Sequence, residues 1–243
     1  MWGMDAVILA AGLGTRLRPH TLHTPKPMLP VQGRPILDWM LAALPSDIDR
    51  LLVVVHHLAG QVEDYLRSQT RFKDWLTVFQ DQPRGTGDAL RRCREHIRSD
   101  RMLVINGDDL YGAADLAALA HCPAGLLVHP VDEPRRYGIA FLRADGTLEK
   151  LVEKPDLDGR RLANTGAYLF PASVFDIELS LSPRGEYEIT DYVSTLAARQ
   201  PVTVVEAQYW LPIGTEEAWN AAQREDLQGK LETTSLSASS RVA

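Results

Sequence analysis

The segment Ala10-Ala11-Gly12-Leu13-Gly14-Thr15-Arg16-Leu17 sets two glycines beside an arginine, and Lys26 follows in the same loop. Gly12 and Gly14 let the backbone approach a phosphate chain with its N–H groups turned toward it. Arg16 can then hold phosphate oxygens as a fork and Lys26 as a point charge. A second polar cluster, Asn106-Gly107-Asp108-Asp109, supplies a pair of carboxylates. The charge pattern supports an anionic ligand. From Ala6 to Leu37 there is no Asp or Glu, where the mean frequency would place about four, and the stretch carries Arg16, Arg18, Lys26 and Arg34. The whole chain has 26 Lys+Arg against 32 Asp+Glu, a net charge of −6 at pH 7. A basic island in an acidic chain suits a small, strongly anionic ligand. The acidic total argues against nucleic acid as the main partner.

Other glycine-loop chemistries fit poorly. The dinucleotide fingerprint G-x-G-x-x-G fails at Leu17, and the ribose-binding acid it needs about 20 residues on is missing. Gly-Lys occurs only at Gly229-Lys230, before Leu231, so there is no phosphate loop of the Walker type. Neither H-E-x-x-H nor G-x-S-x-G is present. His20 and His23 have helical spacing, but Pro19 and Pro25 bracket them in a loop, which argues against a ligand pair.

The elements that must position these residues follow from pattern and punctuation. Strands are expected at Ala6–Ala10, Leu51–Val55, Leu76–Gln80 and Met102–Ile105, with helices opening at Pro35 and spanning Gly60–Arg67 and Asp88–Ile97. The second half turns to strands: Gly125–His129, Gly138–Leu142, Leu148–Val152 and Asn164–Phe170, with a hairpin turn at Ala144-Asp145-Gly146. Glu186–Ala198 reads as a helix, Val202–Ala207 as a strand and Glu216–Asp226 as a last helix. This order predicts an α/β fold with a doubly wound, mostly parallel (mixed) sheet of Rossmann-like type and an antiparallel insertion. Ligands in such sheets bind beyond the carboxyl ends of the strands, where the glycine loop and the Asp cluster both fall.

Length and composition set the frame. At 243 residues, with 45% hydrophobic and 24% charged, the chain is an ordinary globular domain. Residues 1–228 read as one domain and 229–243 as a flexible tail, rich in Ser and Thr from Thr233. Apolar runs such as Leu51–Val55 fall far short of the ~20 residues of a membrane span. The N-terminus lacks the basic region of a signal peptide, and Cys93 and Cys122 make no disulfide framework, so the cytoplasm is the expected compartment.

Leu9 through Pro19, followed by Thr24-Pro25-Lys26-Pro27-Met28-Leu29-Pro30, closely resembles the signature of the sugar-phosphate nucleotidyltransferases, the NDP-sugar pyrophosphorylases. Gly85-Thr86-Gly87-Asp88-Ala89-Leu90 resembles their second base-binding segment and Asn106-Gly107-Asp108 their metal-binding one. Tyr137-Gly138, Glu153-Lys154-Pro155, Asn164-Thr165-Gly166 and Gly185 through Asp191 look like the sugar-side segments of the insertion. The resemblance runs from about Asp5 to Ala222. It implies nucleotidyl transfer from a nucleoside triphosphate to a sugar 1-phosphate, with release of pyrophosphate. Arg16 would hold the leaving phosphates, Lys26 the α-phosphate and incoming sugar phosphate, and Asp108 would bind Mg²⁺. Leu9, Ala11, Gly12, Gly14, Thr15, Gln80, Gly85 and Thr86 would take the nucleotide. Lys154 would contact the sugar phosphate, and Gly138, Glu153 and Asn164 the sugar hydroxyls.

Gln80 lies five residues before Gly85, the family's spacing for a glutamine that reads a pyrimidine edge. An amide that donates and accepts at once suits uracil or thymine, hence UTP or dTTP, with Gln82 as a rival for the role. Glucose 1-phosphate and an N-acetylhexosamine 1-phosphate are the expected acceptors. N-acetylmuramate 1-phosphate, phosphocholine, or a binding protein without turnover are the alternatives. That last option arises at Trp210-Leu211-Pro212-Ile213-Gly214-Thr215, where many relatives have the form W-x-D-x-G-T and use that Asp to complete the metal site. Pro212 cannot do so. Asp109 reads as a solvated turn residue rather than a second ligand, and Tyr137 and Glu188 are open between packing or capping and a site role. The length reads as that of a free-standing catalytic unit without an appended domain, and a homo-oligomer is left open.

Overall fold

The structure, a computed structural model, describes residues 3–232. Strand β1 (Met4–Leu9) is buried at every position because parallel neighbours flank it and a core covers each face. Ala6 and Ile8 enter one core and Val7 and Leu9 the other, the period-two alternation of a strand. The chain then forms a short ribbon, β2 (Pro30–Val31) and β3 (Arg34–Pro35), followed by α1 (Ile36–Ala43), β4 (Ile48–Val55), α2 (Ala59–Ser68) and β5 (Asp74–Phe79). β4 lies parallel to β1 and β5 parallel to β4. After α3 (Thr86–Arg91), β6 (Arg101–Asn106) returns to the other side of β1, again parallel. The winding direction therefore reverses at β1, which opens a crevice between the carboxyl ends of β1 and β6. Gly107 N–H donates to Leu9 C=O across that point at 2.9 Å.

The second half comprises β7 (Asp109–Tyr111), α4 (Ala113–Ala120), β8 (Gly125–Val131), β9 (Gly138–Leu142), β10 (Leu148–Glu153) and β11 (Arg161–Pro171). It continues through α5 (Ile189–Arg199), β12 (Thr203–Glu206), β13 (Trp210–Pro212), α6 (Glu216–Ala222) and α7 (Leu227–Leu231). The long strand β11 joins the two halves. Its Ala167–Pro171 end lies antiparallel to β6, and Ala163 faces Ile139 of β9. β8 pairs along its other edge, with a break in register between Asn164 and Tyr168, and β12 lies parallel to β8. The main sheet thus has nine strands. The mixed, mostly parallel core with an antiparallel second half agrees with the sequence pattern.

Three boundaries differ for physical reasons. The helix expected over Asp88–Ile97 ends at Arg91, and tighter i→i+3 bonds (Cys93 N–H to Leu90 C=O, His96 N–H to Cys93 C=O, both 2.9 Å) turn the chain. α5 begins at Ile189 rather than Glu186 because Tyr187 is held extended: its N–H donates to Arg84 C=O and its C=O accepts from Gly87 N–H, both at 2.8 Å. The tail expected from residue 229 is helical as far as Leu231, since Leu227 and Leu231 are fully buried. The remainder, from Thr233, lies outside the described residues. Cys93 is buried, Cys122 half-buried, and both are free. Among the described residues no helix is long and apolar enough to cross a membrane.

The chain entering the β13–β7 ribbon, which carries part of the crevice wall, is anchored by one carboxylate. Buried Asp115 accepts from Gln208 N–H at 3.0 Å and from Tyr209 N–H at 2.9 Å. Asp115→Ala is expected to leave both amides unpaired and cost about 2–3 kcal/mol. For a chain of this length that is a fall in Tm of roughly 5–10 °C by calorimetry. A Tm within 1 °C of wild type (about 0.3 kcal/mol) would refute the role.

Candidate active site

Three adjoining cavities of about 200, 300 and 360 Å³ run along the carboxyl ends of the strands. Leu9, Gly12 and Thr86 wall both the first and the second. Arg16, Thr86, Asn106, Asp108 and Gly214 wall both the second and the third.

The middle cavity is built by the glycine loop and the turn after β6. Gly12 leaves open space: a Cβ there would meet nothing within 4 Å, so the backbone itself is the wall. Gly14 is left-handed (φ 60°), and a Cβ would press on Thr21 Cγ2 at 2.9 Å, so only glycine turns the chain here. Thr21 Oγ1 donates back to Gly14 C=O at 2.8 Å and fixes that turn. Gly14, Thr15, Arg16, Lys26 and Asp108 all face this cavity. Lys26 is 6% exposed, and its Nζ donates to Asp108 Oδ2 at 2.7 Å. Asp108 keeps 40% of its side chain exposed. The Arg16 guanidinium packs beside Gly214 and makes no ion pair among the described residues. One cation lining this cavity is therefore buried and paired, and the other is exposed with no ion pair among the described residues.

The smallest cavity is lined by Leu9, Ala11, Gly12, Gln80, Gly85 and Thr86, six of the eight residues expected to take the nucleotide. Gly85 has φ 102° and lies against Tyr187, whose C=O a Cβ would strike at 2.4 Å. Thr86 Oγ1 accepts from Ile189 N–H at 3.1 Å, which ties this loop to α5. Gln80 is buried, and its amide nitrogen donates to Asp88 Oδ2 at 3.0 Å and to Gly85 C=O at 3.2 Å. Both amide hydrogens are engaged, so the expected double reading, donor and acceptor together, reduces to the oxygen alone. Burial opposes the charge of Asp88, but hydrogen bonds from Gln80, Arg91 and Arg92 outweigh it and hold the carboxyl below its ordinary range. Gln82 points elsewhere: its Oε1 accepts from Arg84 Nε at 2.9 Å and Nη2 at 2.7 Å at the exposed surface.

The largest of these three cavities takes its wall from the antiparallel insertion. Gly138, Glu153, Lys154 and Asn164 all line it. Gly138 and Glu153 are register partners, and a Cβ on Gly138 would sit 3.0 Å from Glu153 Oε2. Asn164 donates through Nδ2 to Tyr168 Oη at 2.7 Å and accepts from Gly166 N–H at 3.1 Å, so its amide is fixed. Lys154 holds a left-handed φ of 44°, unusual for a side-chain-bearing residue, with its N–H on Tyr137 C=O at 3.0 Å. Tyr137 lines the cavity and packs edge-on to Trp210 with ring centroids 5.4 Å apart. Glu188 starts α5 without capping it; its carboxylate accepts from Ser182 Oγ at 3.1 Å and Arg184 at 2.8 Å beside the cavity.

Asp109 corrects the sequence reading. It is a buried strand residue, not a solvated turn residue, and it lines the largest cavity. Trp210 Nε1–H donates to its Oδ2 at 3.2 Å, and its register partner across the ribbon is Pro212. Burial, then the Asp108 carboxylate, push its carboxyl well above the ordinary range against Lys26, Trp210 and Arg16. Nothing in the run Asp108-Asp109 tells which carboxyl is buried, because β7 has only three residues and no legible period. Arg136 and Trp210 also line this cavity. Sequence reasoning missed Arg136, although the pair Arg135-Arg136 just before Tyr137-Gly138 is a signal of the right kind.

Magnesium takes one or two carboxylates together with phosphate oxygens. Asp108 and Asp109 open on one cavity and fit that need, while among the described residues no group of three or more His, Cys, Asp or Glu could hold a metal unaided.

Comparison with known proteins gives the family and the fold. The family model described as nucleotidyl transferase matches residues 5–229. The bifunctional protein GlmU of Methanocaldococcus jannaschii is 30% identical over 241 residues, covering 94% of this chain and 57% of that protein. A bifunctional sugar-1-phosphate nucleotidylyltransferase/acetyltransferase of Sulfurisphaera tokodaii is 30% identical over 223 residues, covering 89% and 53%. The chain thus spans about half the length of the curated relatives it matches. Among solved structures, a Bacillus anthracis protein named as a glucose-1-phosphate thymidylyltransferase, with sucrose bound, superposes with a TM-score of 0.79 at 30% identity over 90% of this chain and 94% of its own. A UDP-glucose pyrophosphorylase solved with UDP-glucose shares the fold at a TM-score of 0.81 and 24% identity, covering 90% and 97%. By family model, fold and the loops that line its cleft, the chain belongs to the nucleotidyl transferase family.

Proposed function

We propose that the chain transfers a nucleotidyl group from UTP or dTTP to a sugar 1-phosphate, glucose 1-phosphate or an N-acetylhexosamine 1-phosphate, with Mg²⁺ as cofactor. The observation that carries this reading is the order of the cleft: a locked amide, then backbone and cations, then a wall of fixed polar groups. A pyrimidine, a triphosphate and a sugar need those surfaces in that order.

The sugar phosphate oxygen attacks the α-phosphorus in line, a P–O bond forms, and the α–β bridging bond breaks to release pyrophosphate. Little covalent work falls to the protein, so positioning and charge stabilisation dominate. Lys26, buried and preorganised by Asp108, meets the charge that builds at the α-phosphate. Arg16, without an ion-pair partner among the described residues, is free to hold the leaving phosphates. Gly12 and Gly14 keep the loop backbone within reach of the same chain. Lys154 meets the sugar phosphate, and Gly138, Glu153 and Asn164 accept or donate to sugar hydroxyls. Magnesium, when bound, would neutralise phosphate charge; Asp108 would hold it, with Asp109 beside it where Pro212 supplies no ligand.

The test is pyrophosphate release across a panel of triphosphates and sugar 1-phosphates. Turnover is expected with UTP or dTTP and a hexose 1-phosphate. No turnover with any pair would overturn the reading and favour a binding protein. Arg16→Ala is expected to raise KM for the triphosphate by about 10–100-fold, as loss of one charge-assisted phosphate contact should. The KM for the sugar phosphate should change far less, and equal effects on both would place Arg16 elsewhere.

A further inference from the structure

We propose that Asp88 is a specificity-positioning residue, which fixes the Gln80 amide so that only its carbonyl oxygen faces the base and thereby selects uracil or thymine over cytosine. The inference rests on the pyrimidine reading given under Proposed function and adds the residue that enforces it. The local chemistry leaves the amide one orientation. Both neighbours of the Gln80 nitrogen, the Asp88 carboxylate and the Gly85 carbonyl, can only accept. Turning the amide over would set its oxygen against both of them and leave buried acceptors facing one another. Asp88 cannot move aside to permit the turn. It is 1% exposed and is held by Arg91 on Oδ1 at 2.8 Å and by Arg92 on Oδ2 at 3.4 Å. Arg91 is itself laid over the Tyr187 ring at 4.9 Å, and Arg92 is paired with Asp81.

What remains is Gln80 Oε1, which accepts no hydrogen bond among the described residues, on a residue that lines the smallest of the three cavities. A lone acceptor at that point pairs with an N3–H. Uracil and thymine carry one. Cytosine carries a lone pair at N3, so two acceptors would oppose each other in a buried site. In an unclamped glutamine the amide would rotate and serve either base. The selecting group is therefore Gln80, and the residue that removes its freedom is Asp88.

Two measurements on the full chain separate this clamp from the broader functional reading. The first uses the ligand-free protein: hydrogen exchange of the Gln80 side-chain NH₂, identified in a ¹⁵N spectrum by its absence in Gln80→Met. Slow exchange is expected in the wild type and fast exchange in Asp88→Asn, whose amide can donate as well as accept. The second is the ratio of kcat/KM for UTP to that for CTP, expected to favour UTP in the wild type and to fall at least tenfold in Asp88→Asn. A merely structural role would lower both substrates together and leave the ratio unchanged, which would overturn the proposal. Fast exchange in the wild type would overturn it as well, whether or not the variant folds. Slow exchange in a wild type that prefers CTP or a purine nucleotide would instead overturn the base assignment, and the selection with it, while the clamped amide stood.

Discussion

Asp108→Asn is expected to lower kcat about 10³-fold, the scale of losing a preorganised charge at a phosphoryl-transfer centre, with the fold intact. The substitution keeps shape and removes charge. Asp108 sits at the mouth of the crevice between β1 and β6 with 40% of its side chain exposed, so it is the carboxylate best placed to meet a cation brought by a triphosphate. Its loss has a second consequence. Lys26 Nζ, 2.7 Å away and almost wholly buried, is left without its counter-charge. Removing one partner of a fully buried pair costs about 3–5 kcal/mol. Because Asp108 is partly solvated, a smaller penalty of about 1–2 kcal/mol is expected. In Tm that is a fall of roughly 2–8 °C. Pyrophosphate release measures the first effect and calorimetry the second. Turnover at the wild-type rate would remove Asp108 from the reacting centre.

Much of this centre was legible because its parts are local. The glycine loop, the charge desert around it and the Asp cluster each lie within one contiguous segment, and the strand pattern alone places both at carboxyl ends. The adjacency of β1 and β6, which brings Lys26 onto Asp108, follows from the right-handed windings that reverse at β1. What was not legible lies where contacts between distant segments override local pattern. Asp109 and Asp108 are alike in sequence and line the same cavity, yet Asp108 stays half-open while Asp109 is buried and accepts from Trp210, a contact made across 101 residues. Gln80 reads as a two-way amide in sequence because nothing in its neighbourhood announces that Asp88, in the first turn of α3, takes its hydrogens. The start of α5 departs from the sequence pattern for the same reason, since the partners of Tyr187 come from the Arg84–Gly87 loop. Short elements such as β7 and β13, three residues each, carry too few positions for any period to be read.

The companion substitution, Lys26→Met, should separate activity from stability more sharply than Asp108→Asn. Methionine matches the length of the lysine stem and drops its charge, so packing against the loop is kept. A 10²–10³-fold loss of kcat is expected, since on the proposed reading the buried ammonium is the donor that meets the α-phosphate. Stability should move the other way. In the wild type the ammonium is held 6% exposed, and one carboxylate at 2.7 Å offsets its lost hydration. Taking the buried member away leaves the solvent-facing Asp108, which water can satisfy. Replacing a buried charge by an apolar side chain of similar volume is commonly neutral or stabilising. A Tm equal to or a few degrees above wild type is therefore expected, by about 0–2 kcal/mol. The Tm order should run Lys26→Met, wild type, Asp108→Asn, while both variants lose turnover. A strongly destabilised Lys26→Met would mean that the ion pair holds the loop together. The predicted order would instead mean that the chain keeps a buried cation at some cost to its stability, because the anion it waits for is the substrate.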